Sequence, residues 1–308
     1  MERRDFIRTA AGATLGAVAA DSVLTTEGSA APAKPKGKYH IRYAPHLTIL
    51  SDQKRPDYLT IPQRLELIAE HGFDAVEYNS LYQHPFNEIE EIRKKMDSLG
   101  IEMGIFVCNP DGWTDAGVVN PKHHEKFLQQ VRRAIEIHKI IGNRSVTTLT
   151  GMAVPGMSRS VARANIVDGF KKAADLLATT KLRLVVEPLN HLDHPGFYMT
   201  HADELYEVID RVSSPNVRML FDLYHLQITQ GNLINSFRQC VKLVGYIQSG
   251  DVPGRKEPGT GEVNYRNVLK AIYDAGYTDI LGMEHGTSLP GRAGVLKMFE
   301  AYKQADAW

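Results

Sequence analysis

Only two cysteines, Cys108 and Cys240, occur in 308 residues, so a disulfide-framed scaffold is excluded and both are read as free, structural thiols. An excess of charge of either sign is missing as well. Thirty-six basic and 36 acidic residues cancel, which removes the electrostatic footprint of a nucleic-acid binder. The chain has no G-x-G-x-x-G fingerprint after an apolar run, which argues against a dinucleotide-binding doubly wound sheet. It has no apolar run long enough for a stable membrane span. After residue 36 there is neither a low-complexity tract nor a linker that would split it. What remains is one large domain, well supplied with apolar residues at 43%.

The first 33 residues differ in character from the rest. Arg3-Arg4-Asp5-Phe6 precedes a short Ala/Gly-rich stretch from Thr9 to Ala20, and Ala31-Pro32-Ala33 offers an A-x-A cleavage site. This pattern predicts a twin-arginine-type signal peptide over 1–33, with export to the periplasm and a mature chain over 34–308. A lipoprotein anchor is disfavoured, because no cysteine lies near the cleavage region.

Eight short apolar, β-branched runs follow: His40–Leu47, Phe73–Tyr78, Ile101–Val107, Ser145–Leu149, Leu182–Glu187, Val217–Asp222, Leu243–Gln248 and Ile280–Glu284. Continuous rather than alternating hydrophobicity suits strands covered on both faces. Helical patterns at Ile61–His71, Glu88–Leu99 and Val268–Ala275 each end at a glycine, Gly72, Gly100 and Gly276. Eight such strands predict a single-domain α/β fold, the (β/α)8 TIM barrel. The long irregular segments 108–121 and 251–264, after the third and seventh strands, belong on its catalytic face.

Four of the runs end in a polar residue: Glu187, Asp222, Gln248 and Glu284. At the C-terminal mouth of a parallel barrel these would converge into an oxygen-rich site for a hard divalent cation. Burying several carboxylates without a cation is costly, so a merely structural role for the whole set is disfavoured. Two carboxylates beside a cation suit one chemistry in particular, the movement of a carbonyl to the adjacent carbon through an enediolate. Glu187 and Glu284 are the candidate acid/base pair. Around them His225, Asn190, Asp193 and His46 are candidate substrate contacts, and Arg255 is a candidate anion clamp. Glu77, Phe106 and Trp113 carry weaker signals at the mouth, and His123, His124 and His138 fall on a helix.

The segments Glu187-Pro188-Leu189-Asn190, Phe221-Asp222-Leu223-Tyr224-His225, Val252-Pro253-Gly254-Arg255, Gly261-Glu262-Val263-Asn264-Tyr265 and Gly282-Met283-Glu284 together resemble the hydroxypyruvate isomerase family. That family lies within the xylose-isomerase-like TIM-barrel superfamily. The resemblance covers most of residues 39 to 305. It implies that Glu187, Asp222, Gln248 and Glu284 hold the metal, Mg or Mn, that Glu187 and Glu284 move the proton, and that His225 and Arg255 touch substrate. Gln248 stands where many sugar epimerases of the superfamily carry His. Leu192 stands where the family has Arg within its Asn-Thr-Arg-Asp-Met-Pro-Gly segment. The implied reaction converts hydroxypyruvate to tartronate semialdehyde. Alternatives are an exported ketose 3-epimerase, a keto-sugar lyase and a non-catalytic carbohydrate-binding barrel. A DNA-repair endonuclease of the superfamily would need three zinc ions and more strand-end histidines. The expected partner is a small sugar or keto-acid; the reading allows a homo-oligomer without requiring one.

Overall fold

The structure is a computed structural model, and it describes residues 39–114 and 117–308. The leader expected over 1–33 lies outside the described residues.

Eight parallel strands run along the described chain: β1 (Arg42–Pro45), β2 (Ala75–Val76), β3 (Glu102–Met103), β4 (Ser145–Thr148), β5 (Arg183–Val186), β6 (Val217–Asp222), β7 (Val244–Ser249) and β8 (Ile280–Met283). Six of them form one sheet in the order β1-β8-β7-β6-β5-β4, and β2 pairs with β3. Two single parallel bridges close the ring, His46 with Glu77 between β1 and β2, and Val107 with Thr147 between β3 and β4. The predicted second and third strands are therefore present but much shorter than their apolar runs. Their flanks stay buried while carrying only scattered ladder bonds, such as Gly104 N–H to Val76 O at 2.7 Å.

Helices α1 (Ile61–Glu70), α2 (Phe86–Leu99), α3 (His124–Ile141), α4 (Arg159–Leu177), α5 (Ala202–Val212), α6 (Leu223–Thr229), α7 (Leu233–Cys240), α8 (Tyr265–Asp274) and α9 (Gly291–Ala305) cover the outside. Local chemistry sets their ends. Gln63 reaches back to the Thr60 N–H at 2.9 Å, and Ser158 and Asn264 accept the N–H groups of Val161 and Asn267, each quenching an otherwise orphaned donor. Gly100 and Gly142 close α2 and α3 in the left-handed region at φ 68° and 77°, where a Cβ would be strained. Among the described residues no helix is long and apolar enough to cross a membrane. Both cysteines are buried and free, as the sequence predicts.

The interior has its own apolar layer of Ala44, Ala75, Ile105, Val185, Leu220, Tyr246 and Ile280, separate from the larger core between strands and helices. Strand side chains alternate with a period of two. Two residues beyond Ala75, Val185, Leu220 and Tyr246 come Glu77, Glu187, Asp222 and Gln248. Two residues beyond Ile280 comes Gly282, and two further comes Glu284. The polar basin thus stands directly above an apolar floor, because pleat parity puts it there.

Candidate active site

Asp222 and Gln248 are register partners across β6 and β7, and Gln248 faces Gly282 across β7 and β8. Glu187 follows β5, and Glu284 follows β8. All four expected residues therefore share the C-terminal rim. Glu187, Asp222 and Gln248 are 3%, 0% and 1% exposed. Asp222 is oriented by its second role as the cap of α6. Its Oδ1 accepts the Tyr224 N–H at 2.8 Å, which leaves Oδ2 to face the basin.

Donor atoms of Glu187, Asp222 and His225 lie within 4.8 Å of one another. His225 Nε2 is 3.6 Å from Glu187 Oε1 and 3.6 Å from Asp222 Oδ2. Its Nδ1 receives the Asn190 backbone N–H at 3.2 Å, so the proton of a neutral ring belongs on Nε2, aimed at the carboxylates. Burial, with Arg255 and His194 assisting, holds this imidazole well below its ordinary pKa. His225 is thus a neutral donor at the centre of the basin.

Arg255 supplies the positive charge. Its Nη2 lies 2.8 Å from Glu284 Oε2 and 3.3 Å from Asp222 Oδ2, and its guanidinium rests 4.8 Å from the centre of the Tyr224 ring. The backbone at Arg255 adopts φ 50°, a left-handed conformation that costs a non-glycine residue roughly 1 kcal/mol. Its N–H to Asp251 O at 2.9 Å and its carbonyl to the Gly286 N–H at 3.0 Å hold it there. Arg255 was expected to clamp substrate; here it is the counter-ion of two basin carboxylates.

The carboxylates remain under-compensated. Burial pushes the Glu187 carboxyl well above the usual range, Glu284 and Asp222 push it further, and Arg255 acts against them. Asp222 is pushed up to about 6, by burial first, with Arg255 opposing and Glu284 reinforcing. Glu77, fully buried, is raised by burial and then by Glu284. Among the described residues two amide oxygens beside these carboxylates are buried without a protein partner, Gln248 Oε1 and Asn79 Oδ1. Crowded carboxylates beside an orphaned amide oxygen make a donor set of the kind that a hard divalent cation satisfies. The residues therefore fit the ion that the sequence implies.

The other expected contacts each have protein partners. Asn190 uses its Oδ1 on the N–H groups of Leu192 and Asp193, and its Nδ2 on Asp193 and the His225 ring, so it shapes the loop. Asp193 accepts the Tyr224 hydroxyl at 2.7 Å. His46 lies at the rim with Nδ1 2.6 Å from Thr48 Oγ1 and Nε2 3.4 Å from the Asn79 N–H. Trp113 stacks on His194, centroids 5.6 Å apart, and His194 packs on His225 at 5.5 Å, forming one wall. Phe106 is wholly buried. His124 and His138 bind the carbonyls of Val118 and Asn143 on and beside α3.

Two residues, Asn79 and Asp251, escape a reading from sequence, and a third, Glu77, carries only a weak signal there. Asn79 donates to Glu284 Oε1 at 2.5 Å, Glu77 accepts from Gln248, and Asp251 gathers the backbone of the loop after β7. Asn79 and Asp251 lie in irregular segments with no periodic signal. Glu77 shares the strand-tip position of the four basin residues, which was the available clue.

Comparison with known proteins agrees with this fold. Residues 65–305 match the family model described as xylose isomerase-like TIM barrel. The chain is 30% identical to hydroxypyruvate isomerase of Escherichia coli over 266 residues, 85% of this chain and 100% of that one. It is 28% identical to 2-oxo-tetronate isomerase of Cupriavidus necator, over 72% of this chain and 85% of the relative. Among solved structures, an AP endonuclease of family 2 from Brucella melitensis superposes with a TM-score of 0.73 at 26% identity, covering 83% of this chain and 96% of that one.

Proposed function

Because this chain belongs to the xylose isomerase-like TIM barrel family and is an isomerase by its relatives, we propose that it moves a carbonyl to the adjacent carbon of a short hydroxylated 2-oxo acid, with hydroxypyruvate the first candidate. The observation that carries the metal-dependent form of this reading is Gln248 Oε1, buried and unpartnered beside crowded carboxylates. Glu187, Asp222, Gln248 and Glu284 would hold a divalent cation, Mg or Mn. When bound, it would polarise the substrate carbonyl and stabilise the enediolate oxygen, a contribution of several kcal/mol.

The substrate class follows from charge. Hydroxypyruvate and 2-oxo-tetronate, named for the two relatives, are both 2-oxo acids with a hydroxyl on the next carbon. Leu192, 69% exposed on the loop above the basin, provides no cation for such a carboxylate, but Arg255 does. Its Nη2 is held by Asp222 and Glu284 in this structure. Once those two are engaged as ligands, the guanidinium is available to the substrate carboxylate.

In the proposed reaction one of the pair Glu187 and Glu284 takes a proton from the hydroxyl-bearing C3, giving the enediolate. The other returns a proton to C2 while the C3 hydroxyl proton passes to the C2 oxygen, so that C3 becomes the carbonyl carbon, an aldehyde for hydroxypyruvate. The neutral His225 Nε2–H would donate to an oxygen of the enediolate, where charge develops. Trp113 and His194 shield one side of the basin from water. The endonuclease name of the Brucella protein finds no support in this basin of carboxylates, an amide and one histidine, nor in balanced net charge.

NMR in D2O with Mg2+ or Mn2+ tests the reading across hydroxypyruvate, 2-oxo-tetronate and common ketoses. The expected result is deuterium at the carbon that receives the proton, with the skeleton intact and exchange lost in E284Q. Fragmentation would establish a lyase instead, inversion without carbonyl movement an epimerase, and no exchange from any substrate would leave only binding.

A further inference from the structure

A terminal amide has two orientations of the same shape, and which of its atoms faces the basin depends on what it meets at its back. For Gln248 that neighbour is Glu77. Gln248 Nε2 donates to Glu77 Oε1 at 2.6 Å, and the Tyr246 hydroxyl donates to Glu77 Oε2 at 3.3 Å. Both oxygens of Glu77 are therefore acceptors. The reversed amide would set oxygen against oxygen, and the orientation that avoids this leaves Gln248 Oε1 buried without a protein partner.

The barrel makes room for this arrangement. A Cβ on Gly282 would collide with Glu77 Oε2, and one on Gly104 would collide with the Tyr246 hydroxyl. Gly282 in β8 and Gly104 just after β3 thus leave space for a buried acid and a phenol. A Glu that is 0% exposed, placed between an amide and a phenol, is an expensive way merely to fill space.

We propose that Glu77 is a positioning residue: by accepting the Gln248 Nε2–H it fixes the amide so that Oε1 points into the carboxylate basin as a cation ligand. This rests on the cation reading above. Partners behind a ligand typically change metal affinity by about 10- to 100-fold when removed, without touching the metal themselves.

The test measures Mn2+ binding by isothermal titration calorimetry on wild type, E77L, Q248L and the double variant, with circular dichroism to confirm folding. E77L is expected to weaken Mn2+ binding by about 10- to 100-fold, and the double variant to bind no more weakly than Q248L alone, since Glu77 acts through Gln248. E77Q retains an acceptor for Nε2 and is expected to stay near wild type. Unchanged affinity in E77L, or losses that multiply in the double variant, overturns the inference alone. Absence of Mn2+ binding by wild type overturns the cation reading and takes this inference with it. Should E77L fail to fold, Y246F carries the test: freeing Glu77 Oε2 lowers Mn2+ affinity if Glu77 positions the amide, whereas unchanged affinity overturns the proposal.

Discussion

Asn79 donates its amide to Glu284 Oε1 at 2.5 Å, and its own Oδ1 is buried without a partner. The hydrogen bond occupies one oxygen of a candidate base, whose other oxygen meets Arg255; the free Oδ1 offers an acceptor to a substrate hydroxyl. Hydrogen bonds to a charged group are worth about 1.5–3 kcal/mol, so N79A is expected to lose about 10- to 100-fold in kcat/KM, at about 1.4 kcal/mol per tenfold. Steady-state kinetics on the substrate found by the deuterium screen checks it, and an unchanged kcat/KM would remove Asn79 from the site. Asn79 shows why single residues are hard to read from a chain. Gln248 was legible as one of four strand-tip polar residues in series, whereas Asn79 lies three residues beyond β2, where nothing in the periodicity sets it apart.

The element that controls Arg255 is the loop after β7, and its organiser is Asp251. This carboxylate is 0% exposed. Its Oδ1 accepts the N–H groups of Val252 and Val263, and its Oδ2 those of Gly259 and Gly261, at 2.8–3.2 Å. Gly261 can come this close because it has no Cβ, which would otherwise collide with the Val252 carbonyl. The same loop holds Arg255 in its left-handed conformation through the Asp251 carbonyl. Removing the carboxylate strands several backbone donors, each costing about 1–3 kcal/mol if it stays buried. D251A is therefore expected to loosen residues 252–263 while the strands hold, read as faster amide hydrogen exchange confined to that loop, with a raised KM as Arg255 loses its place. Uniform destabilisation of the barrel would refute this division of labour. That a long segment follows the seventh strand was evident from its Gly and Pro content; that one buried Asp organises it was not, because a loop Asp looks the same in sequence whether it faces water or four N–H groups.

Across the whole molecule the barrel was legible because burial on both faces writes continuous apolar runs, and eight of them close a ring. The thin seams were not legible: β1 meets β2, and β3 meets β4, through single bridges, a matter of hydrogen-bond geometry rather than hydrophobicity. Buried phenols tie distant parts of this ring together. Tyr43 donates to Asp306 Oδ1 at 2.8 Å, Tyr246 to Glu77 Oε2 at 3.3 Å and Tyr265 to the Gly250 carbonyl at 2.7 Å, while the Tyr302 hydroxyl lies 2.6 Å from Ser249 Oγ. Burial foremost raises all four above the ordinary tyrosine value of 10.0. The sign follows from linkage: above about pH 10 the unfolded chain releases these protons and the native state keeps them, so stability is intact below that pH and falls as pH rises through it. Each phenol removes about 1.4 kcal/mol per pH unit once well past its unfolded value, so the four together remove about 5 kcal/mol per unit against a typical total of about 5–15 kcal/mol. A pH titration following tyrosinate absorbance beside far-ultraviolet circular dichroism should show the last phenols ionising in the same cooperative step that loses the helices, about one to three units above the ordinary tyrosine pKa. Y43F should weaken that coupling, because one buried phenol no longer titrates, and complete ionisation of the tyrosines in a protein that retains its helices would show that the phenols are not buried as described.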